Sequence, residues 1–231
     1  MTLPLSRRTW VALAGLTPTG LMLAAVMALV CVAGPGGGVS RIRCAAGVLV
    51  TAVLSALPWL VASLLGGALD SPQSSGVAAF AARAEPGLGT LASLAGLGGI
   101  WNAEAVPYSR TTPFALLATA VLLAVVALGL PTVARRPEAR PLLVIAAVSV
   151  LLPAVMATGP GLAAMRAVID AIPGLGVLRD GQKWVALAMP AYALAGGGAV
   201  VTVRRWARPE LTALVCAAAL IAVLPDLVWG A

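Results

Sequence analysis

The sequence contains no histidine, a single lysine, and charged side chains at only 10% of its 231 positions. Without histidine it lacks the usual general base near neutral pH and the commonest metal ligand, so neither a bound metal nor a cofactor is expected. A soluble domain carries about 25% charged residues, and this shortfall excludes an ordinary soluble globule and a disordered tail. The net charge of +7 does not indicate nucleic-acid binding. Its arginines stand in short clusters between apolar stretches, as membrane-flanking residues do. The three cysteines, Cys31, Cys44 and Cys216, are odd in number and form no C-x-x-C pair, which excludes a disulfide framework or a zinc site. Each lies within or beside an apolar run and reads as a small packing residue. A Walker-type phosphate loop is missing, so ATP hydrolysis is not indicated. No charge falls in the middle of an apolar run, so the proton relays of many transporters are missing too.

What the chain has in abundance is apolar sequence: 61% hydrophobic residues and a mean hydropathy of +1.01. A helix needs about 20 apolar residues to cross the hydrocarbon layer at about 1.5 Å per residue, and lipid forces helices because exposed amides find no water there. The expected fold is all-α: a single integral domain over residues 1–231, a polytopic bundle of about six transmembrane helices in a multi-pass cell-membrane protein. The spans read as Trp10–Ala33, Cys44–Leu65, Phe114–Leu130, Pro141–Thr158, Trp184–Val203 and Leu211–Trp229. Gly34-Pro35-Gly36-Gly37-Gly38 closes the first. Pro131 is expected to stop the third, Pro141 to open the fourth and Gly159-Pro160-Gly161 to end it. Pro58 and Pro190 predict kinks within the second and fifth. Asp226, near the end of the sixth, would reach the headgroups. The 15-residue segment Gly87–Trp101 is too short for a comfortable crossing and reads as an interfacial or re-entrant helix in an external loop.

Arginines orient the chain. Arg135, Arg136 and Arg140 lie in one short loop and Arg204, Arg205 and Arg208 in another; both loops are expected in the cytoplasm, and Gly159–Lys183 outside. The front half is less decisive. Six spans put Arg41 and Arg43 inside and Arg7 and Arg8 outside, whereas seven would exchange the two pairs. We take six, with an external amino terminus. Ser6-Arg7-Arg8-Thr9-Trp10 resembles the opening of a twin-arginine signal, but the following apolar run is too long for a signal segment, and Ala28-Leu29-Val30-Cys31 is a poor lipoprotein box. The two longest connections, Gly66–Pro113 and Gly159–Lys183, both face outward in this arrangement, and long loops often carry function.

The strongest candidate site lies in Val177-Leu178-Arg179-Asp180-Gly181-Gln182-Lys183-Trp184. Arg179 and the lone lysine, Lys183, share a face if the turn is helical. At headgroup depth they could hold a lipid phosphate, arginine as a fork and lysine as a point charge. Asp180 would orient Arg179 or serve as a base, and Trp184 would anchor at the interface. Snorkelling side chains that flank a span give the same composition. A second candidate is Gly98-Gly99-Ile100-Trp101-Asn102-Ala103-Glu104. There Trp101 could stack on a sugar ring, Asn102 could bind hydroxyls and Glu104 offers a carboxylate; an interfacial helix end with an aromatic anchor fits equally. In a third stretch, Asp70 or Ser75 would cap a short external helix that lays Val77 and Phe80 on the lipid surface. Asp70, Glu85 and Glu104 are the carboxylates of this loop, without an Asp-x-Asp pair for a metal. Arg166 and Asp170, four apart, could pair on an amphipathic helix. Gly196–Gly198 would allow close helix approach.

Three stretches, Ser75–Arg83, Leu97–Asn102 and Pro173–Lys183, resemble the later part of actinobacterial membrane proteins with a GT-C-like glycosyltransferase architecture. The last is similar to the proline-glycine…Arg-Asp-x-x-Lys stretch that precedes a late span in such proteins. The resemblance covers about residues 50–200. It implies a protein handling polyprenyl-phosphate-linked sugars on the extracytoplasmic face, with Arg179 and Lys183 as phosphate contacts. The family's catalytic acid lies in an external loop of a front half that this chain is expected to lack, so no catalytic residue carries over. The alternative is a non-catalytic membrane subunit or permease component whose helices pack with a partner membrane protein.

Overall fold

The structure is a computed structural model and describes residues 14–35, 38–66, 76–172 and 174–229. It is all-helical, with no strand among the described residues. The α-helices are α1 (Pro18–Ala33), α2 (Arg41–Leu65), α3 (Thr90–Ala95), α4 (Phe114–Ala134), α5 (Arg140–Met156), α6 (Gly159–Ala171), α7 (Met189–Val203), α8 (Pro209–Ala222) and α9 (Pro225–Trp229). Short 3-10 segments join them, chiefly Leu175–Arg179 and Gly181–Ala188. Among the described residues, four helical stretches are long and apolar enough to cross a membrane: Arg41–Leu65, Phe114–Ala134, Pro137–Met156 and Gly181–Val203. The first and sixth expected spans hold apolar helices of 16 and 14 residues. The expected start at Trp10, with Arg7 and Arg8, lies outside the described residues.

Local chemistry explains the helix ends. Thr17 caps α1 by accepting from Gly20 N–H at 3.1 Å, with Pro18 in the first turn. Thr158 caps α6 by accepting from Gly161 N–H at 3.3 Å, so Gly159-Pro160-Gly161 opens a new helix as well as following the end of α5. Pro141 stands in the first turn of α5, as expected. Pro131 does not stop α4, which runs to Ala134. Proline removes one hydrogen bond, and near a helix end little else is lost; Val133 beyond it is buried, and Thr132 hydrogen-bonds Thr202 of α7 at 2.7 Å. Pro190 does not interrupt a helix either; it sits in the first turn of α7, where 3-10 geometry gives way to α.

The tightest crossing joins α4 to α7. A Cβ on Gly129 would collide with the backbone carbonyl of Ala195, and one on Gly198 would lie 2.7 Å from the Gly129 carbonyl oxygen. Small residues allow this approach, which van der Waals packing rewards in lipid. Of the three adjacent glycines only Gly198 serves the contact; Gly196 and Gly197 face open space.

The segment Gly87–Trp101 holds the six-residue α3 and is folded inward: Leu94 is fully buried against α5 and the 185–191 stretch, and Ser93, also fully buried, accepts from Glu85 N–H. Tyr192 of α7 donates its hydroxyl to the Ala95 carbonyl at 2.9 Å. Lone polar groups are costly in such a core, and this one is satisfied. The sixth expected span likewise breaks after Ala222. Asp226, in α9, is half-buried and tied to the segment that leads into α4: its carboxylate accepts the Ser109 hydroxyl and the Ser109 N–H, the latter at 3.1 Å. Those hydrogen bonds, the hydroxyl's first, hold its pKa below the usual carboxylate range.

Candidate functional site

The stretch 175–188 is 3-10 rather than α-helical and is interrupted at Asp180, where ψ is 76°. The expected one-face α-helical spacing of Arg179 and Lys183 is therefore not what unites them. They meet because the interruption folds both residues around one polar cavity of about 360 Å³, lined also by Thr19, Phe80, Gly176, Val177 and Asp180. Asp180 is 5% exposed. Lys183 Nζ lies 2.8 Å from its Oδ2. That contact is an ion pair by distance, but it lacks hydrogen-bond alignment: neither Asp180 oxygen accepts a hydrogen bond among the described residues.

Arg179 joins this cavity to a second one. An apolar cavity of about 290 Å³ is walled by Val26, Val77, Ile145, Leu152, Met165, Leu178 and Trp184, with Arg179 at its border. It follows α5 from Ile145 to Met156, about 17 Å at the helical rise. The site is thus amphipathic, with a hydrocarbon-lined slot on one side of a guanidinium and a charged hollow on the other.

The guanidinium is positioned by aromatic rings. Its Cζ lies 4.2 Å from the Phe80 ring centroid, a cation–π contact, and Phe80 packs at 4.3 Å against Trp101 with a 55° tilt. Gly76 leaves room for this stack, since a Cβ there would sit 3.2 Å from the Phe80 ring and 3.5 Å from Arg179 Nη1. The expected surface helix does not continue over residues 76–83: Gly76 is in 3-10 geometry, 77–80 form turns, and 81–83 are irregular. Val77 is 2% exposed rather than lipid-facing, because it walls the apolar cavity. Asp70 and Ser75 lie outside the described residues.

Trp101 is placed in turn by a buried knot. Glu85 Oε1 accepts from Arg110 Nε at 2.9 Å and from Gly99 N–H at 3.3 Å, and Glu85 Oε2 pairs with Arg110 Nη2. Glu85 N–H donates to Ser93 Oγ at 2.9 Å, and Arg83 N–H to the Gly99 carbonyl at 3.1 Å. Leu97 (φ +62°) and Gly99 (φ +79°) both lie in the left-handed region, which lets the chain fold back over the pair. The side chains of the ion pair are 12% and 7% exposed.

Of the candidates drawn from sequence, Arg179, Asp180 and Lys183 therefore share a cavity, and Trp101 reaches it through Phe80. Asn102 and Glu104 line neither cavity. Asn102 instead accepts from Glu104 N–H at 3.1 Å and caps a one-turn 3-10 segment, and Glu104 is exposed. Arg166 and Asp170 both lie exposed on α6 and form no ion pair with each other. Sequence reasoning missed the stack of Phe80 under Arg179 and the pairing of Glu85 with Arg110. No protein-family model, curated protein or solved structure matches this chain.

Proposed function

We propose that this is a multi-pass cell-membrane protein that binds a polyprenyl-phosphate-linked sugar on the extracytoplasmic face, as the GT-C-like resemblance of its motifs implies. The observation that carries the reading is Arg179 standing at the junction of a hydrocarbon-lined cavity and a cationic hollow. A lipid phosphate has that chemistry: an apolar chain beside an anion suited to a guanidinium fork. The side of the membrane follows from charge. The stretch Gly181–Val203 separates Lys183 from the exposed Arg204, Arg205 and Arg208, and the Thr132–Thr202 bond holds the end bearing Arg135 and Arg136 beside them. With the arginine-rich end in the cytoplasm, the polar cavity opens outward.

Binding of farnesyl phosphate by the purified chain in detergent tests this reading. Arg179→Ala with Lys183→Ala is expected to weaken binding by about 100-fold or more, the worth of two charge-assisted contacts, while leaving the protein monodisperse. Unchanged affinity in the double variant contradicts the reading.

A second reading, a non-catalytic subunit packed against a partner membrane protein, is favoured by α2. Of its 25 residues only Ala56 is buried, while Leu49, Val53, Leu57 and Leu64 are exposed. Lipid covers such a face as well as protein does. Extraction in mild detergent separates the two readings, because a subunit copurifies with a stoichiometric partner that crosslinks to α2.

A further inference from the structure

One end of the bundle concentrates positive charge. The connection from α4 to α5 carries Arg135 and Arg136 and leads into Arg140, and the connection from α7 to α8 carries Arg204, Arg205 and Arg208. All six residues are exposed. The two groups are neighbours in space. Thr132 and Thr202 share a hydrogen bond of 2.7 Å, and Arg135 and Arg204 stand within one helical turn of it, about 5 Å along the axis. The carboxylates beside them, Glu138 and Glu210, are exposed as well, and among the described residues neither pairs with an arginine. Glu210 stands in the first turn of α8, where it complements that helix's own dipole. The arginines therefore hold a strong local field that the chain itself leaves unbalanced.

The depth of this end is marked by Trp206, which is 70% exposed and carries the Arg205 guanidinium over its ring, with Cζ 4.0 Å from the centroid. Exposed tryptophan on a membrane protein settles at headgroup level, so Arg205 lies where lipid phosphates lie. Arg208 shares a hollow of about 550 Å³ with Glu210, Leu211 and Leu214. Both leucines are exposed and follow Arg208 along the apolar α8. Guanidinium first and bare hydrocarbon beyond it match a phospholipid, which has a phosphate above its acyl chains. A second copy of this chain would set the same arginines against these, and charge disfavours it.

We infer that the two arginine-bearing connections form a binding site for the headgroup of an anionic phospholipid, at the opposite end of the bundle from the Arg179 cavity. The site needs the chain to cross a bilayer and is independent of the lipid-phosphate reading of that cavity. Arginines that served only to orient the chain would not distinguish one headgroup from another.

Native mass spectrometry of the full chain in detergent tests this, with phosphatidylglycerol and phosphatidylcholine of the same acyl chains as probes. An arginine near the surface is worth about 5-fold toward anionic lipid, so the unmodified protein is expected to bind phosphatidylglycerol at least about 5-fold more tightly. Arg135→Gln/Arg136→Gln/Arg204→Gln/Arg205→Gln should reduce that preference to below about 2-fold, whereas Arg179→Ala/Lys183→Ala should keep it. Equal affinity of the unmodified protein for the two lipids overturns the inference, and leaves the arginines to topology or to an acidic protein partner. A preference that survives the four glutamines also overturns it. A preference lost in Arg179→Ala/Lys183→Ala overturns it too, since the anionic lipid then occupies the cavity and the lipid-phosphate reading gains. Should the fourfold variant fail to fold, Arg135→Gln/Arg136→Gln and Arg204→Gln/Arg205→Gln decide separately: partial loss in each supports a site shared by the two connections, and full preference in either overturns it.

Discussion

Gly129→Ala is expected to destabilise the bundle by about 2–3 kcal/mol, near the upper end of what overpacking usually costs. The added methyl would occupy space held by the Ala195 carbonyl, and the facing Gly198 already lies close to the Gly129 carbonyl. A flexible side chain could swing away from such a clash, whereas a backbone carbonyl cannot. Relief requires α4 and α7 to separate, which loosens Val133 and the Thr132–Thr202 bond in the same interface. The control lies in the same glycine run. Gly196→Ala and Gly197→Ala meet nothing within 4 Å and should be neutral or slightly stabilising, since alanine favours a helix over glycine by up to about 1 kcal/mol. Thermal unfolding in detergent, followed by size-exclusion fluorescence, measures all three. Equal losses at Gly129 and Gly196 would refute the assigned crossing.

Glu85→Ala is the second large effect. Removing one partner of a buried ion pair leaves the other charge uncompensated, at a cost of about 3–5 kcal/mol. Here Arg110 would remain with 12% of its side chain exposed, and the Gly99 N–H would lose its acceptor. Arg110→Ala should cost a similar amount. The double variant should cost clearly less than the sum, because the stranded charge is gone. The consequence extends beyond stability. The knot places Trp101 against Phe80, and Phe80 lies under Arg179, so Glu85→Ala should also weaken farnesyl phosphate binding, in protein that remains folded, while Glu104→Ala should not. Additive single and double variants would show that the pair is not coupled.

These results bear on what could be read from sequence. The apolar runs were legible because each is long and almost free of charge: four of the expected spans overlap helices long and apolar enough to cross a membrane, while the first and sixth overlap only the shorter apolar helices Pro18–Ala33 and Pro209–Ala222. Helix ends were less legible. Thr17-Pro18 carries a capping signal that a hydropathy reading passes over, and Pro131 was overruled by the packing of Val133 and Thr132 against α7. Arg179, Asp180 and Lys183 were legible as a cluster because they lie within five residues of one another; their geometry was not, since periodicity gives no account of the 3-10 interruption at Asp180. Phe80 beneath Arg179 and Glu85 against Arg110 join residues 99 and 25 positions apart. No local pattern encodes such pairs, and lone apolar or acidic residues in a loop have many possible roles.

The most direct test of the two-cavity site is photo-crosslinking with a prenyl phosphate that carries a diazirine at its hydrocarbon end. The account predicts labelling of residues along the apolar slot, among them Val77, Ile145, Leu152 and Met165, suppressed by excess farnesyl phosphate and lost in the Arg179→Ala/Lys183→Ala variant. Labelling spread over the exposed face of α2 at Leu49, Val53 and Leu57, and indifferent to the competitor, would contradict it.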